Sequence, residues 1–316
     1  MQTTWTYDAP SGVYKNHEMS SALREAAIAD TKFMQFVKPE SGYGKKKGES
    51  ITISRVSNID VPSDGRVGEL DNLPEDQLSM STVAITVSEW GRAVPYTGLM
   101  EDLSVFNIEN IVQKRLKDQM KLTLDGAAAD AFKSTSAKIK ATPTGVSAIS
   151  FGTNGVAPGT ASVNANVYHI EQIRDYMYST LMIPPVEGDD YIGIVSTKFK
   201  RGIMSDPAFE TWHKYTDPQS KYNSEIGRME NIRFIETNNA GALDDSIGTG
   251  GVLGEAVIFG ADAVSMAVAQ DPELRADIPS NFGRFKKVAW YGILEFGVVW
   301  DTANPGEARI VHVTSL

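Results

Sequence analysis

Two limbs of the chain alternate apolar and polar residues with a period of two: Ser50-Ile51-Thr52-Ile53-Ser54 and Ser81-Thr82-Val83-Ala84-Ile85-Thr86-Val87-Ser88. That period, with β-branched types in most positions, predicts strands with one apolar face. Pro62, Gly65, Gly68 and Pro74 lie between them and interrupt a regular ladder. The expectation is a long, irregular two-stranded arm from Glu49 to Tyr96. Ile59, Val61, Val67, Leu70, Leu73 and Leu78 recur through its middle, a composition suited to an ordered segment. An isolated two-stranded hairpin is marginal in water, so the apolar side needs a cover. Two covers are open, a neighbouring copy of the chain or the hairpin's own domain. Charged and aromatic residues on an arm often anchor partners. Arg55, Arg66, Glu69, Trp90 and Arg92 are therefore candidate inter-subunit contacts, with local packing or solvation of each as the alternative.

Helical spacing recurs outside this arm. Leu23, Ala26, Ala27, Phe33, Met34 and Val37 predict a helix from Ser20 or Ser21 to about Val37, ended by Pro39 and Gly42. Ile108, Val112, Leu116, Met120, Leu124, Ala127 and Ala131 mark the strongest signal, a helix from Leu103 to Ser134 capped by Ser104 or Asn107. Roughly 30 helical residues would span about 45 Å, a rod for a sheet to lie against. Residues 134–164 read as a linker or a pair of weak strands. Val167 to Met182 is an amphipathic helix stopped by Pro184-Pro185, and Lys198 to Trp212 a helical region broken at Pro207. Tyr191–Val195, Ile232–Glu236, Val252–Phe259, Ala263–Val268, Val288–Val299 and Ala308–Val313 read as strands. The sum is an α+β chain whose late strands return to the long helix. Residues 1–20, polar with Trp5, Tyr7 and Tyr14, read as an arm that docks.

Composition narrows the chemistry. The 316 residues contain no cysteine, which excludes disulfides, thiolate catalysis and cysteine-ligated metals. No run of 18 apolar residues is present, so no membrane helix is expected, and Met1 to Pro10 lacks the features of a secretion signal. A formal charge of -10 argues against tight nucleic-acid binding through phosphate neutralisation. Lys45-Lys46-Lys47 reads as a solvated turn rather than a nucleic-acid contact. His17, His169, His213 and His312 share no metal-ligand spacing. There is no GxSxG, Walker A loop or GxGxxG. Thr249–Gly254 is glycine-rich but lacks the lysine of a phosphate cradle, so a flexible loop is expected. Glu187, Asp189 and Asp190 could hold a hard cation; a solvated turn is the plainer reading. No catalytic, cofactor-binding or metal residue is assigned, and no enzyme activity or cofactor is expected.

From the second half onward the order of features becomes specific. Asn223-Ser224-Glu225-Ile226-Gly227-Arg228-Met229-Glu230-Asn231-Ile232-Arg233-Phe234-Ile235-Glu236-Thr237-Asn238-Asn239 resembles a stretch of tailed-bacteriophage major capsid proteins. It is most similar to the branch typified by the enquatro-type short-tailed phages, within the Hong Kong 97-type coat fold. Thr4-Trp5-Thr6-Tyr7, Glu255–Gly260, and the closing pattern from Val288-Ala289-Trp290-Tyr291-Gly292 to Arg309-Ile310 are also similar. The likeness covers nearly the whole chain, and no single motif in it is catalytic.

The resemblance implies an N-terminal arm (1–48), an extended β-hairpin loop (49–96), a peripheral domain with a long spine helix (97–164), an axial domain (165–270) and return strands of the peripheral domain (271–316). It implies a structural virion protein that self-assembles into hexamers and pentamers of an icosahedral shell around double-stranded DNA, formed in the host cytoplasm. The extended loop would lie across a neighbouring subunit. The founding member cross-links a loop lysine to a neighbour's asparagine. Here no lysine occurs between Lys47 and Lys114, so a non-covalent shell is expected, with room for a cement or decoration protein. A separate scaffolding protein and a portal are expected, since residues 1–48 are too short for a built-in scaffolding domain. A bacterial nanocompartment shell protein of the same fold and, in another class, a soluble α+β hydrolase with an acidic site at Glu187 to Asp190 remain the alternatives.

Overall fold

The computed structural model describes residues 27–40, 43–44, 46–59, 64–68, 72–104, 106–143, 149–152, 155–208, 225–279, 281–302 and 304–316. In chain order these form β1 (Lys38–Pro39), β2 (Ser50–Val56), β3 (Met80–Thr86), β4 (Ser88–Thr97), α1 (Gly98–Leu103) and α2 (Ile108–Lys133). Next come β5 (Lys138–Ala141), β6 (Ile149–Phe151), α3 (Val167–Asp175), β7 (Tyr191–Val195) and α4 (Thr197–Met204). The rest comprises β8 (Glu225–Met229), β9 (Ile232–Glu236), β10 (Ala256–Phe259), β11 (Val264–Ala276), β12 (Phe285–Val298) and β13 (Ile310–Val313).

The strands make three sheets. One has the order β1-β11-β12-β4, one the order β6-β5-β13-β10-β7-β9-β8, and β2 pairs with β3 alone. The seven-stranded sheet is buried on both faces, and its central strands read as continuous apolar runs for that reason. Tyr191 and Val195 of β7 join Ile170, Ile173 and Met177 from α3 and its π-helical continuation, Tyr176–Thr180, on one face. Ile192 and Ile194 join Phe132, Phe259 and Leu124 on the other, under α2. Asn166 caps α3 by accepting from the His169 amide, while the His169 ring accepts from the Asn166 amide. The long β11–β12 pair lies along α2, where Leu116 is buried with Tyr96, Val288 and Trp290.

The spine helix is shorter than its sequence signal. α2 has 26 residues, about 39 Å at 1.5 Å per residue. Asn107 caps it by accepting from the Asn110 amide at 3.0 Å, and the separate α1 precedes it. Four other expectations change. Within the described part of the segment expected to be a helix up to Val37, only a 3-10 turn forms, Phe33–Phe36; residues 20–26 lie outside the described residues. The strand expected over Val252–Phe259 is confined to β10. Thr249–Gly254 is a hydrogen-bonded turn rather than a loose loop, with the Thr249 amide donating to the Ala161 carbonyl at 2.9 Å. The short strand at Ala263–Val268 is the 13-residue β11. β8 was not expected at all. Of Lys198–Trp212, the described part is helical in α4, which ends at Met204, before Pro207.

A buried carboxylate explains the lost N-terminal helix. Asp125 of α2 is fully buried and accepts from the Phe33 amide at 2.8 Å, the Met34 amide at 3.3 Å and the Asn239 side-chain amide at 3.1 Å. Those amides are unavailable to a continuous helix. Phe33 is thereby fixed against Phe132, with ring centroids 5.5 Å apart. One side chain so joins the N-terminal segment, the spine helix and the loop after β9.

Candidate assembly surface

The arm is rooted on its own body and, among the described residues, exposed toward its far end. β2 and β3 pair from Ser50↔Thr86 to Val56↔Met80. Strand alternation turns Ile51, Ile53, Arg55, Ser81, Val83 and Ile85 to one face. At the root, Ile85 is buried against Gly297 of β12, where a side chain would meet Ile85 Cγ1 at 2.7 Å. Glycine at this position is what lets the arm seat. Past Val56 no regular strand continues among the described residues until Met80. Ile59, Val67, Leu73, Leu78 and Met80 are all exposed there, Leu73 at 77%. Val61 and Leu70 lie outside the described residues. Among the described residues, the hairpin's own domain therefore covers the root and leaves Ile59, Val67, Leu73, Leu78 and Met80 exposed.

The five candidate contact residues fall in different places. Arg55 is held by its own chain: Nη1 donates to the Val299 carbonyl and to Asp301, each at 2.9 Å, and Nε donates to Ser81 Oγ at 2.7 Å. Its guanidinium also lies 5.6 Å from the Trp300 ring. Trp90 is on β4 rather than on the arm, and its indole donates to the Leu294 carbonyl at 3.0 Å. Arg92, also on β4, is exposed and stands opposite Trp290 in the ladder. Arg66 is exposed in the distal segment, its amide bonded to Asp64. Glu69 lies outside the described residues. The two-stranded arm ends at Thr86, because β4 leaves it to pair with β12.

A second apolar surface was not anticipated from sequence. α1 has no buried residue, and Leu99, Met100 and Leu103 all point to solvent, Leu103 at 76% exposure. The turn joining β11 to β12 lies beside it. The Gly98 amide donates to the Arg284 carbonyl at 2.9 Å, and Lys286 Nζ sits 2.7 Å from Glu101. That turn exposes Ile278 at 85%, and also Phe282 and Phe285. Asn281, Phe282 and Gly283 all have positive φ, so the tip is a tight reversal that presents the Phe282 ring outward. A sequence signal existed: three large apolar residues within a six-residue helix that has no second apolar face to explain them.

No group of three or more metal-ligating side chains occurs among the described residues. Of the acidic cluster, Glu187 and Asp189 are exposed, and Asp190 is buried and engaged. Asp190 accepts from Arg228 Nε at 2.7 Å and Arg233 Nε at 2.8 Å, so it ties β8 and β9 to the start of β7 and is not a solvated turn residue. Among the described residues no helix is long and apolar enough to cross a membrane.

Solved structures that this chain resembles include phage shells. It matches the cyanophage Pam1 capsid asymmetric unit with a TM-score of 0.73 at 14% identity, covering 97% of this chain and 98% of that one. The capsid of Ralstonia phage GP4 matches with a TM-score of 0.68 at 13% identity over 98% and 97% of the two chains. The head structure of Helicobacter pylori bacteriophage KHP40 matches with 0.70 at 12% identity over 96% of each. No family model and no curated protein sequence matches. The class of architecture is thus that of these phage capsid chains, over nearly the whole length. The particular fold is the Hong Kong 97-type coat fold.

Proposed function

We propose that this chain is a major capsid protein, a structural virion component whose copies close into an icosahedral shell of hexamers and pentamers around double-stranded DNA. The observation that carries the reading is where the exposed apolar residues sit. Two groups stand out, one on the distal arm (Ile59, Leu73, Leu78, Met80) and one around the α1 tip (Leu99, Leu103, Ile278, Phe282), while the others, among them Val156, Tyr178, Met182 and Val252, are spread over a body packed around three buried clusters. Contiguous apolar surface on a projecting element is unfavourable in water and marks an interaction site. Burial across copies at about 25 cal/mol per Å² of apolar area, less the ordering cost, gives modest individual contacts that a shell multiplies. The likeness to phage capsid chains over nearly the full length supports the same reading.

Within this proposal, residues 1–48 form the N-terminal arm and 49–86 the extended loop, the spine helix with β4, β11 and β12 forms the peripheral domain, and the seven-stranded sheet with α3 and α4 forms the axial domain. Arg66, Glu69 and Arg92 meet a neighbouring copy, and Arg55 and Trp90 hold the loop's base in the orientation that reaches it. No lysine lies on the loop, so the contacts are non-covalent. A scaffolding protein, a portal and a cement protein are the expected partners, with assembly in the host cytoplasm and a role that is not enzymatic.

The test is removal of residues 59–78 with a short Gly-Ser closure. Wild-type protein should sediment as capsomers or shells and show them in negative stain. The deletion should keep its circular dichroism and unfolding transition but remain small. Wild-type protein that stays a single-chain monomer, or shells formed by the deletion, overturns the reading.

A further inference from the structure

Two histidines are buried in the described chain, one against each face of the seven-stranded sheet. His169 is in the first turn of α3, and His312 is in β13, between β5 and β10. Their hydrogen bonds fix the proton on each ring. The Thr142 carbonyl lies 2.6 Å from His169 Nε2 and can only accept, so Nε2 carries the proton. His169 Nδ1 accepts from the Asn166 amide at 3.1 Å, so it holds a lone pair. In β13, the Glu255 carboxylate lies 2.6 Å from His312 Nε2, which again carries the proton. His312 Nδ1 is buried with no hydrogen-bond partner among the described residues. In both rings, the nitrogen that must take up a second proton has no acceptor to bond it.

We propose that His169 and His312 make the seven-stranded sheet an acid-releasable unit, in which a proton on Nδ1 of either ring loosens α3 from the sheet or β13 from its neighbours. Protonated His169 would set two N–H groups head to head and break the α3 cap. Protonated His312 would bury an unbonded N–H in the middle of the sheet, at a cost comparable to that of any unsatisfied buried donor. Other charges around the rings do not remove this. His169 has Asp206 near it, whose carboxylate instead accepts from the Val167 amide at 3.3 Å. His312 has Glu255 on one side and Lys138 of β5 and Lys133 of α2 on the other. Glu255 is further held by Thr314 Oγ1 at 3.2 Å and by the Asp244 amide at 3.0 Å. Burial pushes both imidazoles below their ordinary value of 6.5, only partly opposed by the Thr142 carbonyl and by Glu255. By contrast, β11, β12, β4 and α2 contain no histidine.

The sign follows from linkage. A histidine whose folded value is depressed binds more protons when released, so the closed form is favoured above pH 6.5 and loses ground as pH falls toward the folded value. One proton shifts the opening equilibrium about tenfold per pH unit in that window. Glu255 is itself held below its ordinary 4.5, against the opposing effect of its burial, by the His312 hydrogen bond, and so contributes only below that range.

The experiment is hydrogen exchange on the purified full chain at pH 7, 6 and 5, with labelling times scaled for intrinsic exchange. Protection in α3 and β13 should fall about tenfold per unit below pH 6.5, while β11 and β12 hold theirs. His312→Gln should abolish the dependence in β13, and His169→Gln that in α3. Ring-nitrogen spectra of the unmodified protein give a check that needs no variant, and both rings should be neutral with Nε2–H at pH 6. Equal pH dependence in variant and wild type, uniform loss across both sheets, or an imidazolium at pH 6 in the intact fold overturns the proposal.

Discussion

Asp125→Ala tests how the N-terminal segment is fastened. The carboxylate receives the Phe33 and Met34 amides and the Asn239 side chain at 2.8, 3.3 and 3.1 Å, in a site with no solvent exposure. Hydrogen bonds to a charged acceptor contribute about 1.5–3 kcal/mol each, and the 3.3 Å contact belongs at the low end. Removing the side chain strands the buried Phe33 and Asn239 donors and the half-buried Met34 amide, but it also relieves the cost of keeping a carboxylate out of water. That cost is real, because burial pushes the Asp125 carboxyl above its ordinary 3.8 despite the donors around it. The net loss should be about 3 kcal/mol, read as a lower denaturation midpoint at unchanged slope. Asp125→Asn keeps one acceptor oxygen and no charge, and should lose about half as much. A group with a raised folded value stabilises at low pH and gives this up as pH rises, so the Asn variant's deficit should be smaller at pH 7 than at pH 4. Limited proteolysis adds a spatial readout, since the Ala variant should be cut first between residues 27 and 37. A loss under about 1 kcal/mol, or an Asn variant weaker than the Ala variant, would refute the account of Asp125 as the fastening point.

Other outcomes follow from the surface and the packing. Leu103→Asp and Phe282→Asp change only exposed positions, so each should leave thermal unfolding within about 0.5 kcal/mol of wild type while cutting capsomer or shell yield in sedimentation. Assembly at wild-type yield would remove the α1 tip from the contact surface. Gly260→Ala would drive a methyl into the Pro184 carbonyl, a backbone neighbour that cannot swing away. It should cost about 2–3 kcal/mol in chemical denaturation.

What could be read in the sequence depended on how local its cause was. β2, β3, β7 and β9 carry a plain two-residue period or an unbroken apolar run, and the structure has them where the pattern put them. The sequence pattern runs the arm on to Tyr96 and so takes in β4, because Trp90-Gly91-Arg92 and Pro95 look like closing punctuation. Its partner β12 lies nearly 200 residues away, and no local pattern announces such a pairing. β8 escaped because Arg228 and Gly227 dilute its apolar content. Its turn, Glu230-Asn231, has both residues at positive φ, which is the hairpin geometry usually signalled by Asn-Gly. Over residues 27–37 the expected helix fails for a different reason: the apolar periodicity is real, but Asp125 captures the amides that a helix would use. The arm's exposed distal residues were legible as apolar recurrences, whereas the engagement of Arg55 with Val299 and Asp301 depends on a chain segment about 245 positions downstream.

The position of β13 has a consequence for how the molecule is made. It bridges β5 and β10, and without it the seven-stranded sheet falls into a pair, β6-β5, and a separate group, β10-β7-β9-β8. It is also the last of the thirteen described strands to leave the ribosome. At roughly 5–20 residues per second, a nascent chain therefore spends most of its synthesis with its central sheet divided. Prematurely terminated chains would lack the keystone, and the two parts of the sheet would stay unjoined.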